Sequence, residues 1–247
     1  CARSGRNPWR RWQRRRRTRP AGAPVAPAGE SVQAVTVEPA KIHIPVRESA
    51  PDASDRARLR LAGRHLARQE DWETLAEQLR EADTARAATR GGTPIARLLA
   101  EGACLDVVET ALTAVTASDA TTARRMLFCL HDAVEGLGAS AWLSYAVARA
   151  HLTVAEAWEA APAGGDARLL RRDARAQHLE TAARLIAPFH PLEFDSPAIA
   201  ALRCALLELD PRPSRRVTDD YEDLIDLDPA CPAHMRALGR DLMPTRF

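Results

Sequence analysis

Residues 221–244 read YEDLIDLDPACPAHMRALGRDLMP, and the spacing of their side chains decides the fold class. Tyr221 and Leu224 are three residues apart, and further apolar side chains follow at the three- and four-residue intervals of one helix face. Pro229 ends this first helix because proline lacks a backbone N–H and clashes with the preceding turn. A second helical pattern begins within four residues of the proline. The stretch therefore predicts two helices joined by a sharp turn.

The second helix of this stretch carries Met235 and Leu238 at helical spacing. We expect both side chains to face the first helix, where they would meet Tyr221 and Leu224. Gly239 adjoins this apolar pair, and a residue without a side chain lets a neighbouring helix approach closely. The two helices are thus predicted to pack as an αα-hairpin.

Helical periodicity continues along the chain from Ser54 onward. We predict Ser54 as the N-cap of the first helix and Gly91-Gly92 as the end of the second. Glycine and proline separate the later segments. The predicted helices span roughly 55–69, 72–88, 94–116, 119–136, 140–160, 166–187, 196–209, 218–227 and 231–243. The sequence therefore predicts an all-α fold of antiparallel helical hairpins, stacked as a short irregular solenoid.

The composition of the 247 residues favours helices and concentrates basic charge at the N-terminus. Aromatic residues make up only 4% of the chain. Alanine, leucine and arginine dominate, and all three are good helix formers. Residues 1–30 hold nine arginines and one acidic residue, whereas 26 basic and 32 acidic residues follow. The helical part is thus acidic and lies behind a basic arm.

The predicted domain boundary separates an N-terminal part, 1–52, from a helical-repeat domain, 53–247. Residues 20–51 contain six prolines, which suit neither a helix nor a central strand. We expect 1–52 to be a disordered Arg/Trp-rich arm followed by a Pro/Ala-rich linker. The segment KIHIPV at 41–46 is the one place in it where a short docked strand is expected.

Two tryptophans and a run of arginines form the N-terminal arm within residues 9–19. They are Trp9, Arg10, Arg11, Trp12, Arg14, Arg15, Arg16 and Arg17. Guanidinium groups can neutralise phosphates, and an indole ring can stack on a base or lie in a headgroup layer. The arm therefore predicts contact with nucleic acid or with an anionic membrane surface. A solvated tail without a specific role is the third interpretation, and the sequence leaves all three open.

The turn at Leu227-Asp228-Pro229 and the later pair Leu238-Gly239 resemble a junction between two tetratricopeptide repeats. In that family a Leu-Asp-Pro closes one repeat and a Leu-Gly pair opens the next. The resemblance implies that the apolar side chains on both sides of Pro229 are packing residues of stacked helical hairpins.

The segment LAGRHLARQEDWETLAEQLREA at 61–82 resembles the same repeat. Gly63 precedes a turn, and Trp72, Leu75 and Leu79 stand where the second helix of such a repeat has its packing residues. The resemblance implies a concave surface formed by the first helices of the hairpins. Proteins of this architecture bind other proteins or peptides on that surface.

Three longer segments together resemble an uncharacterised bacterial family of repeat-like helical proteins. They are ARAHLTVAEAWEA, ARLIAPFHPLEFDSPAIAALRC and DDYEDLIDLDPACPAHMRALGRDLMP. The family has no known reaction, so this resemblance implies an architecture and leaves the function open.

The acidic residues before Pro229, with Cys231 and His234, are candidate metal ligands. The acids lack the glycine and the glutamate of a Ca²⁺-binding EF-hand loop. Asp219 and Asp220 suit the first turn of a helix, where negative charge is favoured by the helix dipole. Cys231 and His234 have the spacing of half a zinc site, but no second pair follows at a suitable distance. We therefore predict a buried thiol, an ordinary histidine and no metal site.

The chain contains no serine-hydrolase, phosphate-loop, dinucleotide-binding or HExxH motif, so we predict no enzyme activity, cofactor or small-molecule substrate. Five scattered cysteines suit free thiols in a reducing compartment. We expect a cytoplasmic protein, or a membrane-associated one should a segment precede Cys1. The predicted function is a helical-repeat scaffold that binds a protein or peptide partner. The alternative is a nucleic-acid- or membrane-surface-associated adaptor that acts through the basic arm.

Overall fold

The computed structural model describes residues 51–135, 138, 140–161, 167–209 and 217–242. These residues form ten helices and no strand, apart from one isolated bridge between Ala88 and Pro94. The helices are α1 (Pro51–Arg68), α2 (Trp72–Thr84), α3 (Ile95–Ala103), α4 (Leu105–Thr116), α5 (Ala120–Glu135), α6 (Ala141–Ala160), α7 (Ala167–Ile186), α8 (Pro197–Leu209), α9 (Val217–Leu227) and α10 (Pro232–Leu242). The all-α prediction is confirmed for this part of the chain.

The start of α1 differs from the predicted one. The helix begins at Pro51, so Ser54 lies inside it and is not the N-cap. Proline suits the first helical position because its missing N–H would have no intrahelical acceptor there. Asp52, predicted to belong to the linker, accepts a hydrogen bond of 2.7 Å from the backbone N–H of Gly91. The second residue of α1 thus holds the loop between α2 and α3.

Two further helix ends were predicted wrongly. The helix expected over 72–88 ends at Thr84, and Gly91 and Gly92 lie in the loop that follows it. The helix expected over 94–116 divides at Cys104 into α3 and α4. The Cys104 thiol contacts the backbone carbonyl oxygen of Ala146 in α6 at 3.5 Å. Both α3 and α4 contact α6, one on each side of this division in the sequence.

Helices α1 and α3 cross at two glycines. A Cβ atom placed on Gly63 would lie 2.1 Å from the carbonyl oxygen of Leu99, and one on Gly102 would lie 2.0 Å from that of Arg60. Each glycine therefore lies against the backbone of the other helix. Arg64 and Arg68 of α1 bind the carboxylate of Asp106 in α4 beside this crossing.

Helix α6 lies at the centre of the main hydrophobic core. Most of its residues are buried, among them Tyr145, Leu152 and Trp158. It contacts α2, α3, α4, α5, α7 and α8. Leu75 and Leu79 of α2 are fully buried in the same core, and Trp72 packs against it with part of its ring exposed. No helix in the described ranges combines the length and hydropathy that a membrane span requires.

Helices α8, α9 and α10 share a second, smaller hydrophobic cluster. Tyr221 and Leu224 of α9 are buried against Ala200 and Cys204 of α8, and Leu238 of α10 is half-buried beside them. Helix α9 therefore packs chiefly on α8, and α10 packs on α9 at the same cluster. Pro229 is exposed in the turn between α9 and α10.

Two predictions for α10 were wrong. Met235 is 57% exposed, so it does not face α9. A Cβ atom on Gly239 would meet no described atom within 4 Å, so no close helix approach occurs there. The buried stripe of α10 instead passes through His234 and Leu238. Met235 and Gly239 each follow a stripe residue and lie about 100° further round the helix, toward solvent.

Candidate binding groove

A groove of about 600 Å³ opens between the two hydrophobic clusters. The connection between α2 and α3 forms one wall, α6 and α8 form the floor, and α9 and α10 form the opposite wall. Apolar side chains such as Pro94, Ala198 and Leu202 line much of it, and two tyrosines, Tyr145 and Tyr221, also contribute. The groove thus offers apolar surface with a limited set of polar groups, which is typical of binding sites.

Arg149 places a largely buried positive charge at the groove. It lies on α6 with its side chain only 13% exposed, and its nearest carboxylate partner, Glu101 Oε1, lies 3.6 Å from Nη2. Its Nε atom is buried and has no hydrogen-bond partner among the described residues. A buried guanidinium with so little compensation has unused donors.

Glu101 cannot neutralise Arg149 because two other arginines bind it. Arg60 of α1 and Arg97 of α3 each approach its carboxylate to 2.7 Å. Burial alone would raise the pKa of Glu101, but the hydrogen bonds from Arg97 and Arg60 lower the pKa overall. Three guanidinium groups therefore share one ionised carboxylate, and the cluster carries an excess of two positive charges.

Tyr145 lies one helical turn before Arg149, on the same face of α6. Its ring is buried, and burial raises the pKa of its hydroxyl to about 12, so it stays protonated at neutral pH. Across the groove, the Tyr221 hydroxyl donates a hydrogen bond to the carboxylate of Glu208. The two tyrosines therefore line the groove, Tyr145 near Arg149 and Tyr221 bound to Glu208.

Asp83 is the carboxylate in the groove wall with the most strongly raised pKa. Burial raises the pKa to about 6, although hydrogen bonds from Ser196 and Ala198 oppose the shift. The Ser196 hydroxyl donates to Oδ2 at 2.6 Å, and the backbone N–H of Ala198 donates to Oδ1 at 2.9 Å. Ser196 in turn accepts from the backbone N–H of Ile199 and so caps α8. Both oxygens of Asp83 therefore hold the start of α8 against the end of α2.

Arg86 fixes the loop after α2 to the opposite side of the groove. Its guanidinium forms an ion pair with Asp195 and donates to the carbonyl oxygen of Leu227 at 3.3 Å. The residue has a φ of 49°, in the left-handed region. These contacts connect the α2 wall to the end of α9.

Asp228, Cys231 and His234 lie together at the junction of α9 and α10. One ligand atom from each residue lies within 4.8 Å of the other two. His234 Nε2 is 3.4 Å from Asp228 Oδ2, and the two side chains are 9% and 12% exposed. Burial lowers the pKa of His234, and Asp228 opposes that shift. All three residues also line the groove.

Three neighbouring imidazoles lie away from the groove, those of His151 and His178 buried and that of His131 half-buried. His131 Nε2 is 2.8 Å from His151 Nε2, and His151 Nδ1 is 3.0 Å from His178 Nδ1. Burial, together with the neighbouring His178 and His131, lowers the pKa of His151 to about 3. Burial also lowers the pKa of His178 to about 4. Each neutral imidazole carries one N–H, and this is enough for a hydrogen bond at both contacts. The three histidines therefore join α5, α6 and α7.

The predicted site residues divide into two groups. Trp9, Trp12 and the arginines of the arm lie outside the described residues. Of the predicted packing residues, Tyr221 and Leu224 line the groove. The others lie elsewhere in the core or on the surface.

Sequence reasoning missed the polar residues of the groove floor and wall. One signal was available: Arg149 follows Tyr145 by four residues inside a mainly apolar helix, AWLSYAVARAHLTVAEAW. A single arginine in a stripe of that kind marks a buried charge. The partners of Arg149 and Asp83 lie 48 and 113 residues away in sequence, at Glu101 and Ser196, and no local pattern reveals them.

Comparisons with models of protein families, with curated proteins and with solved structures find no match to this chain. The resemblances to tetratricopeptide repeats and to a bacterial helical family therefore stay predictions. Any functional inference depends on the geometry of the groove.

Proposed function

We propose that the protein is a helical-repeat scaffold that binds an acidic segment of a partner protein in the groove. The observation that carries the proposal is Arg149, a largely buried guanidinium at the groove whose buried Nε has no hydrogen-bond partner among the described residues and which makes one long contact to Glu101. The proposal includes the predicted stacking of helical hairpins as an irregular solenoid. A groove between hairpins is the surface that such scaffolds use.

The excess positive charge around Arg149 favours a partner that carries a carboxylate. A carboxylate from a bound segment would reduce the positive excess of the cluster formed by Arg60, Arg97, Arg149 and Glu101. Hydrogen bonds to charged groups contribute about 1.5 to 3 kcal/mol. They are favoured when the guanidinium is already desolvated, because the cost of burying it is not paid again on binding.

The apolar lining favours a peptide over a small anion. A free carboxylate would occupy only the end of the groove at Arg149. Half-buried apolar side chains such as Ala201, Ala205 and Ala233 would remain in contact with solvent. An extended segment with apolar side chains next to an acidic one would cover this surface and bind the arginine together.

The proposal is tested by peptide selection followed by a double-mutant cycle. The full chain is used to select binders from a random peptide library, and fluorescence anisotropy gives the dissociation constant of each selected peptide. We expect acidic residues to be enriched. Arg149→Met should weaken binding by about tenfold or more, which is the effect of losing one charge-assisted hydrogen bond.

Arg172→Met is the matched control, because Arg172 is exposed on α7 and does not line the groove. Replacing the acidic residue of the peptide by its amide should weaken binding to the wild type but hardly affect binding to Arg149→Met. Selection without acidic enrichment, or equal losses in the two arginine variants, would overturn the proposal.

The basic arm remains the alternative. Substitution of Arg14, Arg15, Arg16 and Arg17 by serine in the full chain should leave peptide binding unchanged if the groove is the binding site. Binding of nucleic acid or of anionic vesicles by the arm should fall steeply as salt increases, since counterions are released from phosphates. If the arm variant no longer bound the selected peptides while Arg149→Met bound them as the wild type does, the adaptor function would be favoured.

A further inference from the structure

We propose that Asp228, Cys231 and His234 form a three-ligand site for a zinc-class divalent cation. The site is independent of the peptide function proposed above. It uses one carboxylate oxygen, one thiolate sulfur and one imidazole nitrogen, a ligand set that zinc accepts. Mg²⁺ and Ca²⁺ prefer oxygen ligands alone and are not expected to bind.

The local backbone brings the three side chains to one side of the chain. The N–H of Cys231 donates to the carbonyl oxygen of Asp228, and the N–H of His234 donates to that of Cys231, both at 3.2 Å. Two successive three-residue turns result. Side chains three residues apart are eclipsed in this geometry. The turn that closes α9 and starts α10 therefore positions all three ligands without a distant part of the chain.

The distance between His234 and Asp228 fits a cation better than a hydrogen bond. Zinc binds imidazole nitrogen at about 2.0 to 2.1 Å and carboxylate oxygen at about 2.0 to 2.2 Å, so a tetrahedral ion separates the two atoms by about 3.4 Å. The separation of Nε2 and Oδ2 is 3.4 Å. A direct N–H···O hydrogen bond would be shorter, at about 2.9 Å.

The burial of the ligands supplies a second, independent observation. His234 Nε2 is buried and lacks a hydrogen-bond partner in the part of the chain that the structure describes. Leaving a buried polar atom unsatisfied is unfavourable, and such atoms are rare in folded proteins. Cys231 is 9% exposed and has a free thiol. A cation at the centre of the three atoms would be bound by the imidazole nitrogen and by the sulfur.

The three residues account for three of the four positions of a tetrahedral zinc ion. They line the groove, so a water molecule from the groove could supply the fourth ligand of a bound zinc ion. Binding converts the Cys231 thiol into a thiolate, and the displaced proton passes to solvent.

The test uses the full chain and Co²⁺ as a spectroscopic probe for the zinc-class ion. One equivalent of Co²⁺ should produce the thiolate-to-cobalt charge-transfer band in the near ultraviolet and the visible bands of a tetrahedral ion. Zn²⁺ should displace it, which gives the zinc affinity by competition. Cys231→Ser should abolish the charge-transfer band, and Cys129→Ser, which removes an exposed thiol, should leave it unchanged.

His234→Gln and Asp228→Asn supply ligand variants that keep side-chain volume. Each should weaken zinc binding by more than about 100-fold, because even outer-shell partners change metal affinity by about 10- to 100-fold. Zn²⁺ should raise the melting temperature of the wild type and not that of Cys231→Ser, while circular dichroism checks that each variant is folded. Absence of the charge-transfer band, or its survival in Cys231→Ser, would overturn the proposal.

Discussion

A methyl group added at the crossing of α1 and α3 should have two opposite effects on the free energy of unfolding, one through helix propensity and one through packing. Gly63→Ala replaces a helix residue with a better helix former, which alone would stabilise the protein by about 1 kcal/mol. The added Cβ would lie 2.1 Å from the carbonyl oxygen of Leu99. Ordinary contacts between carbon and oxygen are about 3.3 Å or longer. The two helices must therefore separate by about 1 Å.

The packing effect should dominate, because backbone atoms on the opposing helix have no side-chain rotation by which to move away. Overpacking a buried site typically costs about 1 to 3 kcal/mol and occasionally more. We expect a net loss of about 2 kcal/mol or more in the free energy of unfolding for Gly63→Ala. Gly102→Ala should behave in the same way, since its Cβ would lie 2.0 Å from the carbonyl oxygen of Arg60. In the double variant the first methyl group already separates the helices. The loss of unfolding free energy in the double variant should therefore be smaller than the sum of the losses in the two single variants.

Urea denaturation of the three variants measures these losses, and Gly239→Ala is the control. Gly239 lies in the exposed part of α10 with no described atom within 4 Å of its Cβ position, so alanine there should stabilise the protein by up to about 1 kcal/mol. If Gly63→Ala stabilised the protein as much as Gly239→Ala does, α1 and α3 would not cross at these glycines. Fully additive losses in the double variant would contradict a shared contact.

Three further predictions concern the smaller cluster and the buried titratable groups. Leu224→Ala should lower the free energy of unfolding by about 2 to 4 kcal/mol, whereas Met235→Ala should change it by less than about 0.5 kcal/mol in the same urea titration. The lowered pKa values of His151 and His178, about 3 and about 4, mean that the unfolded chain takes up protons first. Stability should therefore decrease as the pH falls from about 6.5 toward 4, and urea titrations across that range measure the slope. The raised pKa of Asp83, about 6, has the opposite effect, since the folded state takes up the proton first. Asp83→Asn removes that contribution, so the variant should lose stability on acidification more steeply than the wild type, by about 2 kcal/mol.

Most helix positions could be predicted from the sequence because apolar periodicity and chain breakers are local signals. The predicted helix over 140–160 differs from α6 by one residue at its start. Proline and glycine ended most segments as expected. The errors at Ser54 and after Thr84 involve caps and loops, where several residue types compete for the same position.

The groove could not be predicted because its polar contacts are not local. Glu101 binds Arg60 from 41 residues away, and Asp83 binds the backbone of Ala198 from 115 residues away. Each of these residues looks like an ordinary surface charge in its own segment. The packing of α3 and α8 against the rest of the fold makes them partners. Single-segment patterns carry no information about such pairs.

The error at α10 has a different physical origin, which links the fold to the proposed cation site. Apolar spacing placed Met235 on the buried face, yet the structure buries Cys231 and His234 at that junction. A buried thiol thus directly precedes α10, and the helix itself buries an imidazole while it exposes a large apolar side chain. Local rules and the observed packing usually agree, and disagreement is expected where a function constrains the sequence. Loss of apolar packing at this junction would be offset if a cation holds Asp228, Cys231 and His234 together. The three residues would then fix the start of α10 to the end of α9 as the wall of the groove.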